Sequence, residues 1–149
     1  LIGAMYERRH TRRIAEYGGV AAVMPRFATV FFITTLSSIG LPFLNGFVGE
    51  FLILQGAFEA NKTYAVLAAT GVVLGAVYML LLCRKFLLGP ITNPENEHLS
   101  DLNGREMGFL VPLVLLMVVL GLFSPWLTDR VTPSVTGWLE RWAEVAATR

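Results

Sequence analysis

Long uncharged apolar runs, separated by short polar stretches, dominate the pattern of this chain. The clearest run covers residues 64–83, and a second covers residues 109–127. Crossing the hydrocarbon core of a bilayer takes about 20 residues of helix, so each run is long enough for one crossing. Arg84 and Lys85 close the first run, as cationic residues commonly do at a membrane surface. The pattern therefore predicts membrane-spanning helices rather than the core of a soluble domain.

Two shorter apolar segments, at about 27–41 and 44–60, flank an irregular stretch that contains Pro42 and the Asn45-Gly46 pair. Proline removes a backbone donor and disfavours helix for the residue before it, so the first helix should end near Leu41. Each segment is short for a full crossing, which leaves two interpretations: a hairpin between tilted helices, or one discontinuous helix. Irregular backbone at membrane depth is tolerated only where protein or a water-filled cavity satisfies it.

Together these segments predict an all-α fold: a polytopic transmembrane helical bundle with about four transmembrane helices, one of them discontinuous, and a C-terminal interfacial helix. The tail indicates the interfacial helix because its tryptophans and aliphatic residues recur at helical spacing against charged residues. The chain opens without methionine, as though leaving an earlier apolar segment, so we expect a C-terminal fragment of a longer protein. The predicted bounds are a polar loop at 1–26, helices at about 27–41, 44–60, 63–88 and 107–127, and an amphipathic tail at 133–147, all within one membrane domain at 1–149.

Composition supports the membrane interpretation and argues against several other functions. The chain is 54% hydrophobic and 15% charged, whereas soluble domains carry about 25% charged residues. The net charge of +1 gives no indication of nucleic acid binding. Cys83 is the single cysteine, so neither an internal disulfide nor a cysteine-based metal site is expected. We find no phosphate-binding loop and no nucleophile beside a base, and so expect no redox or hydrolytic centre.

Glu50 is the candidate functional residue, because it lies in the predicted first turn of the apolar helix that follows the irregular stretch. A charged side chain near the bilayer centre costs roughly 2.5–3.5 kcal/mol, so proteins retain one only where it is paired, neutralised or used. Burial raises the pKa of a carboxyl group and a nearby cation lowers it, so a carboxyl under both influences can exchange protons near neutral pH. The alternative is a hydrated carboxylate that caps a helix start at headgroup level.

The sequence around Glu50 also carries a family resemblance. The run LSSIGLPFLNGFVGEFLIL at 36–54 resembles the broken-helix signature of the antiporter-like subunits of respiratory complex I, the NADH–quinone oxidoreductase. ERRHTR at 7–12, CRKFLLG at 83–89 and LSDLNGRE at 99–106 resemble other segments of that family, so the resemblance covers essentially the whole chain. Glutamate at position 50, where related subunits have lysine, favours the subunit M branch, whose mitochondrial counterpart is NADH dehydrogenase subunit 4. Phe43-Leu44 departs from the smaller residues common in the family.

The resemblance implies a proton-translocating membrane subunit, which couples electron transfer elsewhere in the complex to proton pumping through a buried glutamate relay. Glu50 would line the exit-side half of a proton channel, and the break at Pro42 and Asn45-Gly46 would let water reach it. Other relay residues of the family would lie before Leu1. The candidate site is therefore Glu50, with support from Ser37, Ser38, Pro42, Asn45, Gly46, Gly49 and Lys85.

The resemblance also implies where the partners and cofactors lie. Other complex I membrane subunits, including other antiporter-like subunits, and the lipid bilayer would be the partners, in a bacterial inner membrane. NADH, flavin, iron–sulfur clusters and quinone would be held elsewhere in the complex, with no cofactor and no metal in this chain. Two alternatives remain open: a subunit of a multisubunit cation/proton antiporter or membrane-bound hydrogenase, and a purely structural membrane-assembly bundle in which Glu50 pairs with a partner's basic residue.

Overall fold

The fold is built from helices alone in the part of the chain that the structure describes. The computed structural model covers residues 1–147, and the side chains of residues 1–145; residues 148 and 149 of the predicted domain lie outside the described range. The all-α prediction is confirmed. The helices are α1 (Ile2–Arg9), α2 (Val20–Val23), α3 (Pro25–Ser38), α4 (Asn45–Ala60), α5 (Lys62–Phe86), α6 (Gly104–Leu122) and α7 (Ser124–Ala147), with 3₁₀ turns at Ile14–Glu16 and Pro94–Asn96.

Among the described residues, α5 and α6 are the two helices long and apolar enough to cross a membrane. The most apolar stretch of each helix is almost entirely unburied: 6% of it is buried in α5 and none of it in α6. Leu67 and Leu74 in α5 and Phe109 in α6 are all more than 60% exposed. Exposed apolar surface costs roughly 25 cal/mol per Å² in water. These faces are therefore suited to lipid or to a neighbouring membrane protein.

The segments α3 and α4 form one discontinuous helix rather than a hairpin. The Cys83 thiol donates a hydrogen bond to the Thr35 hydroxyl at 3.3 Å, and the rings of Phe31 and Phe86 lie 5.3 Å apart between centroids. These two pairs make α3 antiparallel to α5. After a tight connection at Asn61, α4 also packs along α5 in the antiparallel sense. Both short helices therefore follow one another along the 25-residue α5.

Helix α6 runs beside α3, from the start of α3 to the break. The Asp101 carboxylate, just before α6, accepts hydrogen bonds from the backbone N–H groups of Arg26 at 2.8 Å and Phe27 at 3.0 Å. At the other end of α6, Gly121 lies against the backbone of the break. A Cβ at position 121 would stand 2.5 Å from the carbonyl carbon of Phe43. Helix α6 therefore packs against one side of the break, although Pro42 and Phe43 remain exposed.

The prediction of a polar loop at 1–26 was wrong, because this region folds into α1, a 3₁₀ turn and α2. Met5, Val20 and Met24 are at most 3% exposed and pack into the same core as Phe27. The loop prediction rested on the dense arginines and overlooked the apolar residues between them. Once buried, these residues hold the region against the ends of α3 and α5.

Two helices begin earlier than the sequence pattern suggests. The start of α3 is Pro25 rather than residue 27, because proline fits the first position of a helix and Asp101 caps that end from elsewhere in the chain. The start of α6 is Gly104 rather than residue 107, because Asn103 and Glu106 form a reciprocal capping box. Pro112 is consequently the ninth residue of α6, inside the helix.

The C-terminal region divides differently from the prediction. Helix α6 ends at Leu122 rather than at residue 127, and α7 begins at Ser124 rather than at residue 133. Pro125 accounts for both differences, since proline has no N–H with which to continue α6 but is well suited to the first turn of a new helix. The helix then continues through Pro133. The amphipathic element is therefore a single 24-residue helix.

Candidate functional site

Glu50 lies near the start of α4, at a level close to the middle of the neighbouring helix α5. It is the sixth residue of α4, and so belongs to the second turn of that helix rather than the predicted first. It precedes Asn61 by eleven residues, and Val72 follows Asn61 by the same number, so the antiparallel pairing brings Glu50 roughly level with Val72. That level is near the middle of α5. The side chain is partly exposed.

The break begins with a left-handed residue that ends α3. Gly40 has φ +71°, and its N–H donates to the Ser37 carbonyl at 3.2 Å, while the Leu41 N–H donates to the Leu36 carbonyl at 3.0 Å. These two bonds form the Schellman motif, in which glycine is favoured at the left-handed position. Pro42 follows and cannot continue the helix. Helix α3 therefore ends at Ser38, three residues before its predicted end near Leu41, and the chain becomes helical again at Asn45.

Helix α4 begins beside the last turn of α3 rather than beyond it. The Ser37 hydroxyl donates a hydrogen bond to the Asn45 side-chain oxygen at 2.6 Å. The Gly46 Cα faces the Ser37 carbonyl so closely that a Cβ would stand 2.9 Å from the carbonyl carbon and closer still to its oxygen. Any larger residue at position 46 would separate the helices. Ser37, Asn45 and Gly46 thus lock the two halves of the discontinuous helix together.

The Glu50 carboxylate lies directly on Gly40. A Cβ at Gly40 would stand 3.1 Å from the Glu50 Cδ and would overlap Oε2. The carboxylate therefore occupies the space that a side chain at position 40 would take. Among the described residues, the two salt bridges lie elsewhere, so no cation is paired with Glu50 there.

The remaining predicted supporting residues are less closely involved. Pro42 and Ser38 are exposed, and Gly49 faces open space with nothing within 4 Å of a built Cβ. Lys85 is exposed near the end of α5, where it lines a surface cleft with Tyr78. It lies thirteen residues beyond the level of Glu50, or roughly 20 Å along a helix. The structure thus brings Ser37, Asn45 and Gly46 to the break beside Glu50, and leaves Lys85 apart.

An ion pair that was not predicted from the sequence fixes α6 to α1. The Arg8 guanidinium makes two parallel hydrogen bonds of 2.8 Å to the two carboxylate oxygens of Glu106, and its Nε donates to the Ser100 carbonyl at 2.7 Å. The hydrogen bond to Glu106 raises the pKa of Arg8 above its ordinary value. The capping box at Asn103 and Glu106 was readable in the sequence. Its arginine partner, 98 residues away, was not.

Other parts of the described structure offer less chemistry than Glu50. No group of three or more His, Cys, Asp or Glu side chains comes together among the described residues to hold a metal ion. An apolar cleft of about 290 Å³ lies against α1, lined by Met5, Tyr17 and Phe31 among others. Burial raises the pKa of the Tyr17 phenol, whose hydroxyl donates to the Thr11 carbonyl at 2.8 Å. Glu50 therefore remains the ionisable group with the strongest claim to function.

Comparison with known proteins identifies the family of the chain. The family described as "NADH:quinone oxidoreductase/Mrp antiporter, TM" matches residues 1–75. "NADH-quinone oxidoreductase subunit M" of Rickettsia typhi is 52% identical over 122 residues, which are 82% of this chain and 25% of that protein. "NADH-ubiquinone oxidoreductase chain 4" of Arabidopsis thaliana is 40% identical over 135 residues, which are 91% of this chain and 27% of that protein.

A solved structure gives the same result for the fold. A chain of "Respiratory complex I from Thermus thermophilus with bound NADH" matches with a TM-score of 0.79 and 36% identity, covering 88% of this chain and 27% of that chain. The present chain spans about a quarter of the length of the curated relatives that it matches. Because the family match includes α3, the break, Glu50 and half of α5, it covers the candidate site itself. The chain belongs to the NADH:quinone oxidoreductase/Mrp antiporter family of transmembrane proteins.

Proposed function

We propose that this chain forms the exit-side end of a proton channel in a membrane subunit of NADH–quinone oxidoreductase, with Glu50 as its proton-carrying residue. Electron transfer among NADH, flavin, iron–sulfur clusters and quinone would take place in other subunits, and this chain would contribute proton movement alone. Its partners would be the other membrane subunits of the complex, including antiporter-like ones. For a bacterial protein, the location would be the inner membrane.

The observation that carries this proposal is the level of Glu50 on α5, beside a helix break. A carboxylate at the centre of a bilayer costs roughly 2.5–3.5 kcal/mol, and such residues usually serve ion or proton pathways. Discontinuous helices are a common way for transporters to bring backbone polar groups and water to a mid-membrane site. The Glu50 carboxylate is partly exposed, and no cation is paired with it among the described residues.

The test is Glu50→Gln in the assembled complex, reconstituted in vesicles, with protons pumped and electrons transferred measured together. Glutamine keeps the size and hydrogen-bonding ability of glutamate but cannot carry the proton. We expect the number of protons pumped per electron to fall while the complex still assembles. Glu59→Gln is the matched control, because Glu59 is exposed at the C-terminal end of the same helix. Unchanged pumping in the assembled Glu50→Gln complex would favour a structural ion pair with a partner subunit instead.

A cation/proton antiporter subunit is a second candidate, because the family description names both kinds of complex. The relatives described above carry oxidoreductase names, which favours the first. Proton uptake that depends on sodium rather than on NADH oxidation would support the antiporter.

A further inference from the structure

Two separate requirements fall on position 40, and only one of them concerns the backbone. The left-handed φ of +71° at the end of α3 is met by glycine at no cost, and by asparagine at little cost. The second requirement is space, because the Glu50 carboxylate occupies the position of a Cβ. Asparagine would satisfy the first requirement and violate the second. Glycine is the one residue type that satisfies both.

The three atoms nearest to a Cβ built at Gly40 all belong to the Glu50 carboxylate: Oε2, then Cδ at 3.1 Å and Oε1 at 3.7 Å. The space that a side chain at position 40 would need is therefore filled by this one group.

We propose that Gly40 is a positioning residue for Glu50: because it has no side chain, the carboxyl group can lie on the bare backbone of the break. The role in pumping rests on the proposed function of Glu50, but the seating itself does not. Any side chain at position 40 would push the carboxyl away from the break. A displacement of about 1 Å at a reacting group can slow a reaction by as much as a hundredfold.

The experiment uses infrared difference spectra of the assembled complex, together with its pumping rate, for four variants. G40A violates both requirements, and G40N chiefly the spatial one. G89A is the matched control, because Gly89 also has a positive φ, +92°, but a Cβ there would meet nothing within 4 Å. The double variant G40A/E50D retracts the carboxyl by about one carbon–carbon bond, roughly 1.5 Å, and so removes the overlap.

We expect G40A and G40N to shift the carboxyl band of Glu50 and to slow pumping roughly tenfold to a hundredfold, while G89A leaves both as in the wild type. G40A/E50D should pump better than G40A. If G40A fails to assemble, assembly of G40A/E50D would still support the proposal. A wild-type Glu50 band in G40N, or an equal effect of G89A, would overturn it.

The two proposals fail separately. Normal pumping by Glu50→Gln would reject the relay function and leave the band shift in G40N as the test of seating. Impaired pumping by Glu50→Gln together with an unshifted Glu50 carboxyl band in G40N would reject the positioning role alone.

Discussion

Replacing Gly46 by alanine tests how α4 begins beside α3. The new Cβ would stand 2.9 Å from the Ser37 carbonyl carbon, whereas non-bonded carbon atoms pack at about 3.5–4.0 Å. Helix α4 must therefore move by at least about half an ångström, and overpacking of this kind costs about 1–3 kcal/mol. The movement also strains the 2.6 Å hydrogen bond from Ser37 to Asn45, worth about 1 kcal/mol. Alanine favours the helix over glycine by at most about 1 kcal/mol, so we expect the free energy of unfolding to fall by about 1–3 kcal/mol in total.

The free energy of unfolding in mixed detergent micelles measures this loss, and Gly49→Ala is the matched control. Gly49 lies in the same helix, three residues further on, and a Cβ there would meet nothing within 4 Å. That substitution should stabilise the protein by about 0.5–1 kcal/mol, since it relieves the entropic cost of glycine in a helix. The free energies of unfolding of the two variants should therefore differ by about 1.5–4 kcal/mol. Equal stabilities would refute the close overlap of α4 on α3.

Two further predictions concern the contacts of α6. Gly121→Ala should lower the free energy of unfolding by about 1–3 kcal/mol, because the new Cβ would overlap the backbone of the break. Gly108→Ala is the control, because a Cβ at Gly108 on the same helix would lie in open space and should not destabilise the protein. The same unfolding measurement compares the two variants. Arg8→Lys should cost about 1.5–3 kcal/mol in the free energy of unfolding, because lysine cannot make the paired hydrogen bonds to Glu106. Arg13→Lys, at an exposed position of the same region, should change the free energy of unfolding little. An equal loss of stability in the two variants would mean that the paired hydrogen bonds from Arg8 to Glu106 contribute nothing.

The break and its acid could be predicted from the sequence because their signals are local. Pro42 stops a helix by its own covalent structure, and Glu50 is conspicuous as a charge in an apolar run. The choice between a hairpin and a discontinuous helix could not be made, since it depends on the direction of α5 relative to both halves. The pairing of Thr35 with Cys83 decides it, and these residues are 48 positions apart.

The closest contacts of the site could not be predicted from the sequence either. Gly40 was visible as a residue near a helix end, but nothing local indicates that a carboxylate ten positions later rests on it. The start of α3 was predicted two residues too late for a similar reason, because the residue that caps it, Asp101, is 75 positions from Arg26 in the sequence. Lys85 was predicted to support the site from its place at the end of an apolar run. Its distance along α5 from the level of Glu50 depends on helix register, which composition does not give.

We expect the Glu50 carboxyl to gain and lose a proton during turnover. Infrared difference spectroscopy of the working complex, comparing the wild type with Glu50→Gln, detects this change. A carboxyl band that appears during NADH oxidation in the wild type and is missing from the variant is the predicted result. Identical difference spectra from the two proteins would show that Glu50 keeps one protonation state throughout, and would contradict a proton relay through this residue.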